Sequence, residues 1–301
     1  MSQPCRILSL DGGGVRVLAQ AILLGRLFKQ YPELYNSIDI FAGTSAGALL
    51  ALALAEKGED GLAIFTTETI TKMFQRSYSW KIWPSEGITA SEYSNRAMEE
   101  FLGKQFGSLS IGTMQKQVFV PAFKLSSASA GPDGKPGRWH PAFFSNIGDE
   151  TPADLVKDVA LRTTAAPTYF PIFQNYADGA VFANSPAALT ITHCKKKGIK
   201  LANIRLLSLS GGSQSRSITE ENSHWGVTQW ANPLVDLLVD SNVYTANVLC
   251  EELLAERYCR YQLELTEEVP LDGTDKLAIL IEAAEKADLE PIYQWLQKIW
   301  F

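Results

Sequence analysis

Ser45 stands in the pentapeptide Gly43-Thr44-Ser45-Ala46-Gly47, with the apolar run Ile38 to Ala42 before it and the helix-forming run to Leu54 after it. A G-x-S-x-G sequence between a strand and a helix is a nucleophile elbow. The sharp turn leaves the serine hydroxyl exposed, and small neighbours let strand and helix approach each other. The positive end of the helix beginning near Ala46 favours the negative charge that develops when the hydroxyl attacks a carbonyl. Ser45 is therefore the candidate nucleophile. Five residues alone match by chance often enough; the strand before and the helix after give the match its weight.

A second signal lies upstream. The run Arg6 to Leu10 reads as a short buried strand, and it leads through Asp11-Gly12-Gly13-Gly14-Val15-Arg16 into an amphipathic helix, Val17 to Tyr31. Three consecutive glycines leave backbone N–H groups unshielded at a helix start, which suits an anion. One such anion is a phosphate, but the dinucleotide pattern G-x-G-x-x-G needs glycine where Val17 stands, and no Walker lysine follows. The other is the oxyanion of a tetrahedral intermediate, with Gly12, Gly13 and Gly14 as the oxyanion hole. A serine nucleophile one βα unit downstream needs such donors, so this reading accounts for both motifs together.

In that order, DGGGVR and GTSAG resemble the patatin-like phospholipase family. The resemblance implies a third motif, an aspartate acting on the serine without a histidine, and Asp178-Gly179-Ala180 matches it behind the β-prone run Phe170 to Tyr176. The segment Arg162 to Pro171 is also similar to the family, so the likeness spans Arg6 to Asn184. It implies a three-layer α/β fold, with a central mostly parallel sheet flanked by helices. It further implies a lipid acyl hydrolase, working on phospholipid, lysophospholipid or galactolipid through a Ser45–Asp178 dyad and an acyl-enzyme. Arg16 has two readings, a contact for a substrate phosphate and a salt bridge on the first helix. Val17 departs from the family pattern, where many members carry a further glycine.

Chemistry adds conditions. An aspartate at its ordinary pKa of about 3.9 is a poor base, so burial is expected to raise Asp178 in a dry site. A triad would require a histidine, and His193 and His224 follow Asp178, but His193 falls inside a helix and His140 and His224 fall in polar loops. No cofactor or metal is implied, since no His, Asp or Glu cluster has ligand spacing. An acyltransferase of related fold, relying on histidine, is the nearest rival. A non-enzymatic storage or scaffold protein is a reading from another class.

The 301 residues, 46% hydrophobic and 20% charged, fit one globular domain, with a motif-bearing core at about 5–210 and a helical C-terminal region at about 228–301. A net charge of −6 gives no footprint for nucleic acid and no general attraction to an anionic membrane. Cys5, Cys194, Cys250 and Cys259 form no C-x-x-C pair and no secretory signal precedes the first strand, so a reduced cytoplasmic setting, peripheral at membranes, is expected. No apolar run reaches the roughly 20 residues of a transmembrane segment.

Elsewhere the patterning predicts helices over Leu62 to Phe74, from a capping box at Thr89-Ala90-Ser91-Glu92 to Gln105, from Thr151-Pro152-Ala153-Asp154, and from Asn184 toward Lys197. Further helices are predicted over Asn232 to Tyr258, Leu277 to Lys286 and Glu290 to Phe301. Strands are predicted at Val118 to Leu125, His140 to Ser145, Ile204 to Leu209 and Tyr261 to Leu265, with Ser126 to Arg138 as a surface hairpin loop. Tyr78, Trp80 and Trp83, beside Arg76 and Lys81, suit a lipid interface, though aromatic residues are first of all ordinary core material.

Overall fold

The computed structural model describes residues 3–74, 91–126, 137–148, 152–213, 218–219 and 224–301. The chain runs through β1 (Cys5–Leu10), α1 (Val17–Gln30), α2 (Leu34–Ser37), β2 (Ile40–Gly43) and α3 (Ala46–Lys57). Next come α4 (Thr67–Met73), α5 (Arg96–Phe106), β3 (Gln117–Lys124), β4 (His140–Ser145), α6 (Val156–Thr163) and β5 (Tyr176–Asp178). It continues with α7 (Ala180–Ala183), α8 (Ala187–Lys196), β6 (Ile204–Ser213), α9 (Val227–Leu254), β7 (Tyr258–Glu264), α10 (Leu277–Lys286) and α11 (Glu290–Trp295).

The sheet order is β4-β3-β2-β1-β6-β7, with β1, β2, β3, β6 and β7 parallel to their neighbours and β4 antiparallel to β3. This is the mostly parallel sheet between helices that the motif order implies. Side chains alternate between the two faces as a strand period of two requires. Leu8, Phe41, Val118 and Leu207 enter one core cluster with α1, α3 and α10, whereas Ile7, Ile40, Phe119 and Leu206 enter the other with α8 and α9. Both faces are covered, which is why the strands read as continuous apolar runs. α3 is apolar on all sides and buried from Ala46 to Ala55, the environment such a helix needs.

β5 decides where the third motif arrives. β2 pairs with β3 over Gln117 to Phe119, and β4 occupies the other edge of β3 from Phe119 to Lys124. β5 pairs antiparallel with β3 over Ala122 to Lys124, so it must share the edge used by β2. The two strands lie end to end along β3 and run toward each other. Ser45 leaves the end of β2 and Asp178 ends β5, so both face the same gap.

Four helix starts differ from the sequence reading. α4 begins at Thr67 and not at Leu62, because the Thr66 hydroxyl caps it there by accepting from Thr69 N–H at 3.1 Å. α5 begins at Arg96, because Glu92 N–H and Tyr93 N–H donate to the carbonyls of Thr168 and Tyr169 and keep that stretch extended; Thr89 and Ala90 lie outside the described residues. α6 begins at Val156, because the Pro152 and Asp154 carbonyls accept from Gly112 and Ile111; Thr151 lies outside the described residues. α9 starts at Val227, earlier than expected, and ends at Leu254. The run Phe170 to Tyr176 is strand only at its last residue. Tyr78, Trp80 and Trp83, and the core of the Ser126 to Arg138 loop, lie outside the described residues. At the C-terminus Trp300 is fully buried, its Nε1 donating to Ser37 Oγ at 2.7 Å and its carbonyl accepting from Arg6 Nε at 2.7 Å.

Candidate active site

Ser45 takes φ 53°, ψ −130°, a backbone conformation that costs a non-glycine residue on the order of 1–3 kcal/mol. The surrounding bonds hold it there. Ser45 N–H donates to Thr163 Oγ1 at 3.1 Å, and the Thr163 hydroxyl donates onward to the Pro121 carbonyl at 2.7 Å. Thr44 Oγ1 donates to the Ala183 carbonyl at 2.7 Å. Gly47 permits the crossing of α3 over β1, since a Cβ there would lie 2.4 Å from the Asp11 carbonyl oxygen.

The Ser45 hydroxyl donates to Asp178 Oδ2 at 2.6 Å. The other carboxylate oxygen, Oδ1, accepts from Ala180 N–H at 2.8 Å. Asp178 is 2% exposed, and burial pushes its carboxyl up to about 7 against the opposing pull of the Ala180 and Ser45 hydrogen bonds. Its backbone is stitched to the segment that also holds Ser45: Asp178 N–H donates to the Ala165 carbonyl and Gly179 N–H to the Thr163 carbonyl. Gly179 sits where a Cβ would lie 2.4 Å from the Pro121 carbonyl oxygen, so the residue after the aspartate has to be glycine.

The glycine turn faces this pair, and its three N–H groups are not equivalent. Gly12 N–H donates to the Asn184 carbonyl at 2.9 Å, so Gly12 is corrected from a hole donor to an anchor of the turn. The N–H groups of Gly13 and Gly14 take no hydrogen bond among the described residues. Their directions are set through the carbonyls of the same planar peptide units. The Gly12 carbonyl accepts from Asn184 Nδ2 at 3.3 Å, so Gly13 N–H points away from Asn184. The Gly13 carbonyl accepts from Arg16 N–H at 3.1 Å and from Arg16 Nε at 3.2 Å, so Gly14 N–H points away from Arg16. Arg16 Nη1 also donates to the Gly212 carbonyl at 3.0 Å, so its guanidinium braces backbone.

Ser45, Asp178, Gly12, Gly13, Gly14 and Arg16 all line one cavity of about 250 Å³. Beyond them its walls are mostly apolar, with Leu49, Ile70, Met73, Phe74, Met98 and Phe170. None of the three histidines lines it. The arrangement can deprotonate a hydroxyl, accept an apolar chain and offer backbone donors to an anion. The patatin-like phospholipase family matches residues 8–191, a span that contains every one of these six residues. This chain belongs to that family.

Among relatives of this patatin-like chain, CotR of Bacillus subtilis (strain 168) is 28% identical over 98% of this chain and 98% of its own. Patatin-like protein 1 of Arabidopsis thaliana is 27% identical, covering 84% of this chain and 73% of that protein. The cGAMP-activated phospholipase of Pseudomonas aeruginosa is 25% identical, covering 96% and 90%. Family membership supports a lipid ester hydrolase. No helix among the described residues is long and apolar enough to cross a membrane.

Sequence reasoning missed several residues that hold this patatin-like site together. Asp11 forms an ion pair with Arg260 at 2.7 Å, linking the glycine turn to β7, and Arg260 Nη1 donates to Ser208 Oγ at 3.1 Å. Both partners are nearly buried, at 2% and 11% exposure. Gln20 Nε2 caps the Asp11 and Leu209 carbonyls at 2.9 and 3.2 Å. Asn184 ends α7, and its N–H donates at 2.9 Å to Oδ1 of Asn242 in α9. Apolar periodicity carries no trace of such pairs. An arginine at a buried strand position was the one available signal.

Proposed function

We propose that the chain hydrolyses acyl esters of membrane lipids through a Ser45–Asp178 dyad. The observation that carries this is the 2.6 Å bond from the Ser45 hydroxyl to a buried carboxylate whose pKa is raised to about 7. A base near neutrality is matched to taking a proton from a hydroxyl that attacks a carbonyl. Asp178 accepts the Ser45 proton as Oγ attacks the ester carbon. The oxyanion then takes hydrogen bonds from Gly13 and Gly14 N–H, with the N-terminus of α3 adding favourable dipole. Collapse of this intermediate breaks the ester C–O bond, and Asp178 returns the proton to the leaving alcohol. A water molecule, deprotonated in turn by Asp178, releases the fatty acid from Ser45.

The apolar walls of the cavity support an acyl chain as the group held during these steps. Arg16 acts here mainly as a positioning residue for the Gly13–Gly14 peptide. As the positively charged residue lining the cavity among the described residues, it is also the proposed contact for a substrate phosphate. The substrate class is phospholipid, lysophospholipid or galactolipid. A fluorophosphonate probe should label Ser45 and nothing in Ser45→Ala. Mass spectrometry of products from a lipid panel should find free fatty acid and the deacylated lipid. Wild-type turnover by clean, folded Ser45→Ala would end the serine-hydrolase reading.

A further inference from the structure

Helix α9 is 28 residues long, and one of its sides packs on the domain. Ala246 and Cys250 are buried in the cluster with α8. At 100° per residue, Trp230, Leu234, Leu237, Leu238, Tyr244, Val248 and Leu249 fall on the other side. Leu234, Leu237, Leu238 and Leu249 are 43%, 48%, 56% and 47% exposed, and Tyr244 is 72% exposed. Between them the stripe carries only Ser241 and Thr245. An apolar band of this length is unusual on a soluble protein and marks a surface that meets something.

Two observations say what it meets. First, the stripe is continuous with the catalytic cavity. Leu238 and Val181 both line that cavity, yet they are 56% and 45% exposed, so the wall along which an acyl chain would enter runs out onto the α9 surface. Second, its charge is one-signed. From Val227 to Leu254 there is no lysine or arginine, and the charged residues are Asp236, Asp240, Glu251 and Glu252 on a chain of net charge −6. An anionic bilayer attracts basic segments and would repel this one. Trp230, paired edge-to-face with Trp225, and Tyr244 supply amphipathic rings of the kind that sit at a lipid–water boundary. The helix does not qualify as a membrane span, so it would lie in the interface plane.

We propose that the exposed face of α9 docks the protein on an electrically neutral lipid surface, zwitterionic or galactolipid, and so sets the cavity mouth against its substrate. This rests on the lipid-hydrolase reading above, and it commits to neutral lipid over anionic lipid. Leu237 and Leu249 belong to the stripe without lining the cavity, so they can be changed without touching the reacting atoms.

The test uses the full chain and vesicles of phosphatidylcholine or of phosphatidylglycerol, with hydrolysis of a soluble short-chain ester measured in parallel. Wild type should co-sediment with phosphatidylcholine vesicles and less with phosphatidylglycerol. The double variant Leu237→Asp, Leu249→Asp should lose on the order of 10-fold or more in vesicle partitioning and keep soluble-ester turnover. The double variant Leu237→Lys, Leu249→Lys should reverse the preference toward phosphatidylglycerol, a gain that misfolding cannot produce. Unchanged partitioning of both variants, or equal or tighter wild-type binding to phosphatidylglycerol, would overturn the proposal. So would a wild-type dimer that ignores vesicles and becomes a monomer in the aspartate variant, which would make the face a contact between copies. A wild type that binds vesicles but never cleaves the soluble ester would sink the hydrolase reading and leave the docking face standing.

Discussion

Ser45 Oγ and Asp178 Oδ2 are 2.6 Å apart although 133 residues separate them in sequence. The contact is made by strand geometry. β2 and β5 occupy successive stretches of one edge of β3, pointing at each other, and Pro121 between the two pairing zones anchors the pair. Its carbonyl accepts from the Thr163 hydroxyl, which in turn accepts from Ser45 N–H. The nucleophile and the base are thus held by the same short piece of backbone.

If Asp178 is the base itself, Asp178→Asn should be as damaging as Ser45→Ala on a soluble ester, since an amide cannot accept the proton. His140→Gln, His193→Gln and His224→Gln should each keep most activity. The carboxylate must be ionised to work, so kcat/KM should climb with pH through about 7, the raised value of Asp178. Kinetics of the five variants across pH decide the matter, and one folded but inactive histidine variant overturns the dyad.

The same carboxylate has a cost in stability. In the unfolded chain it titrates near 3.9, and in the folded protein near 7. The folded state therefore holds the proton more tightly, and its advantage is complete below about pH 4 and lost as pH rises through about 7. Asp178→Asn removes the charge that has to be buried. It should raise stability well above pH 7 by up to a few kcal/mol and flatten the pH dependence of Tm between those limits. An Asn variant less stable than wild type at alkaline pH would contradict the burial argument.

The motif residues were legible in the sequence because each is bound to a local signal. Ser45 sits between a β-run and an apolar helix, and the three glycines sit between β1 and α1. The apolar run of β1 likewise gave a strand of nearly the observed length, whereas β6 continues past the predicted Leu209 to Ser213. Long-range polar pairs were not legible. Arg260 reaches Asp11 across 249 residues, and Gly12 N–H is spent on Asn184 through a fold that no local pattern encodes. Helix starts at Arg96 and Val156 were missed for a related reason, because backbone pairing with distant segments outweighed the capping residues.

The turn should discriminate sharply between neighbouring glycines. Gly13 has φ 176°, open to any residue, and a Cβ there meets only the Arg16 side chain at 3.4 Å. Gly14 has φ +56°, and a Cβ there would stand 2.0 Å from the Leu271 carbonyl oxygen that Val15 N–H already binds. Gly13→Ala should fold and keep kcat within severalfold. Gly14→Ala should lose on the order of 10²-fold or more in kcat, the scale of losing one oxyanion donor, together with several degrees of Tm. Equal kcat for both would mean that the Gly14 N–H takes no part in the reaction.

Asn242 joins the two halves of the site from outside it. Its Oδ1 accepts from Asn184 N–H at 2.9 Å and its Nδ2 donates to the Ala180 carbonyl at 3.1 Å. α7 lies between these bonds. At one end Ala180 N–H holds Asp178 Oδ1, and at the other Asn184 brackets Gly12. Loss of the clamp should loosen both the base and the glycine turn without touching substrate, so Asn242→Ala should lower kcat about 10- to 100-fold with KM little changed. Weakening the Ala180 bond removes an interaction that favours the ionised carboxylate, so the acidic limb of kcat/KM should also move to higher pH. Asn242→Asp can still accept from Asn184 but cannot donate to Ala180, and it should restore only part of the rate. A merely structural role predicts something different, a lower Tm with the pH profile unmoved, and that result would remove Asn242 from the positioning machinery.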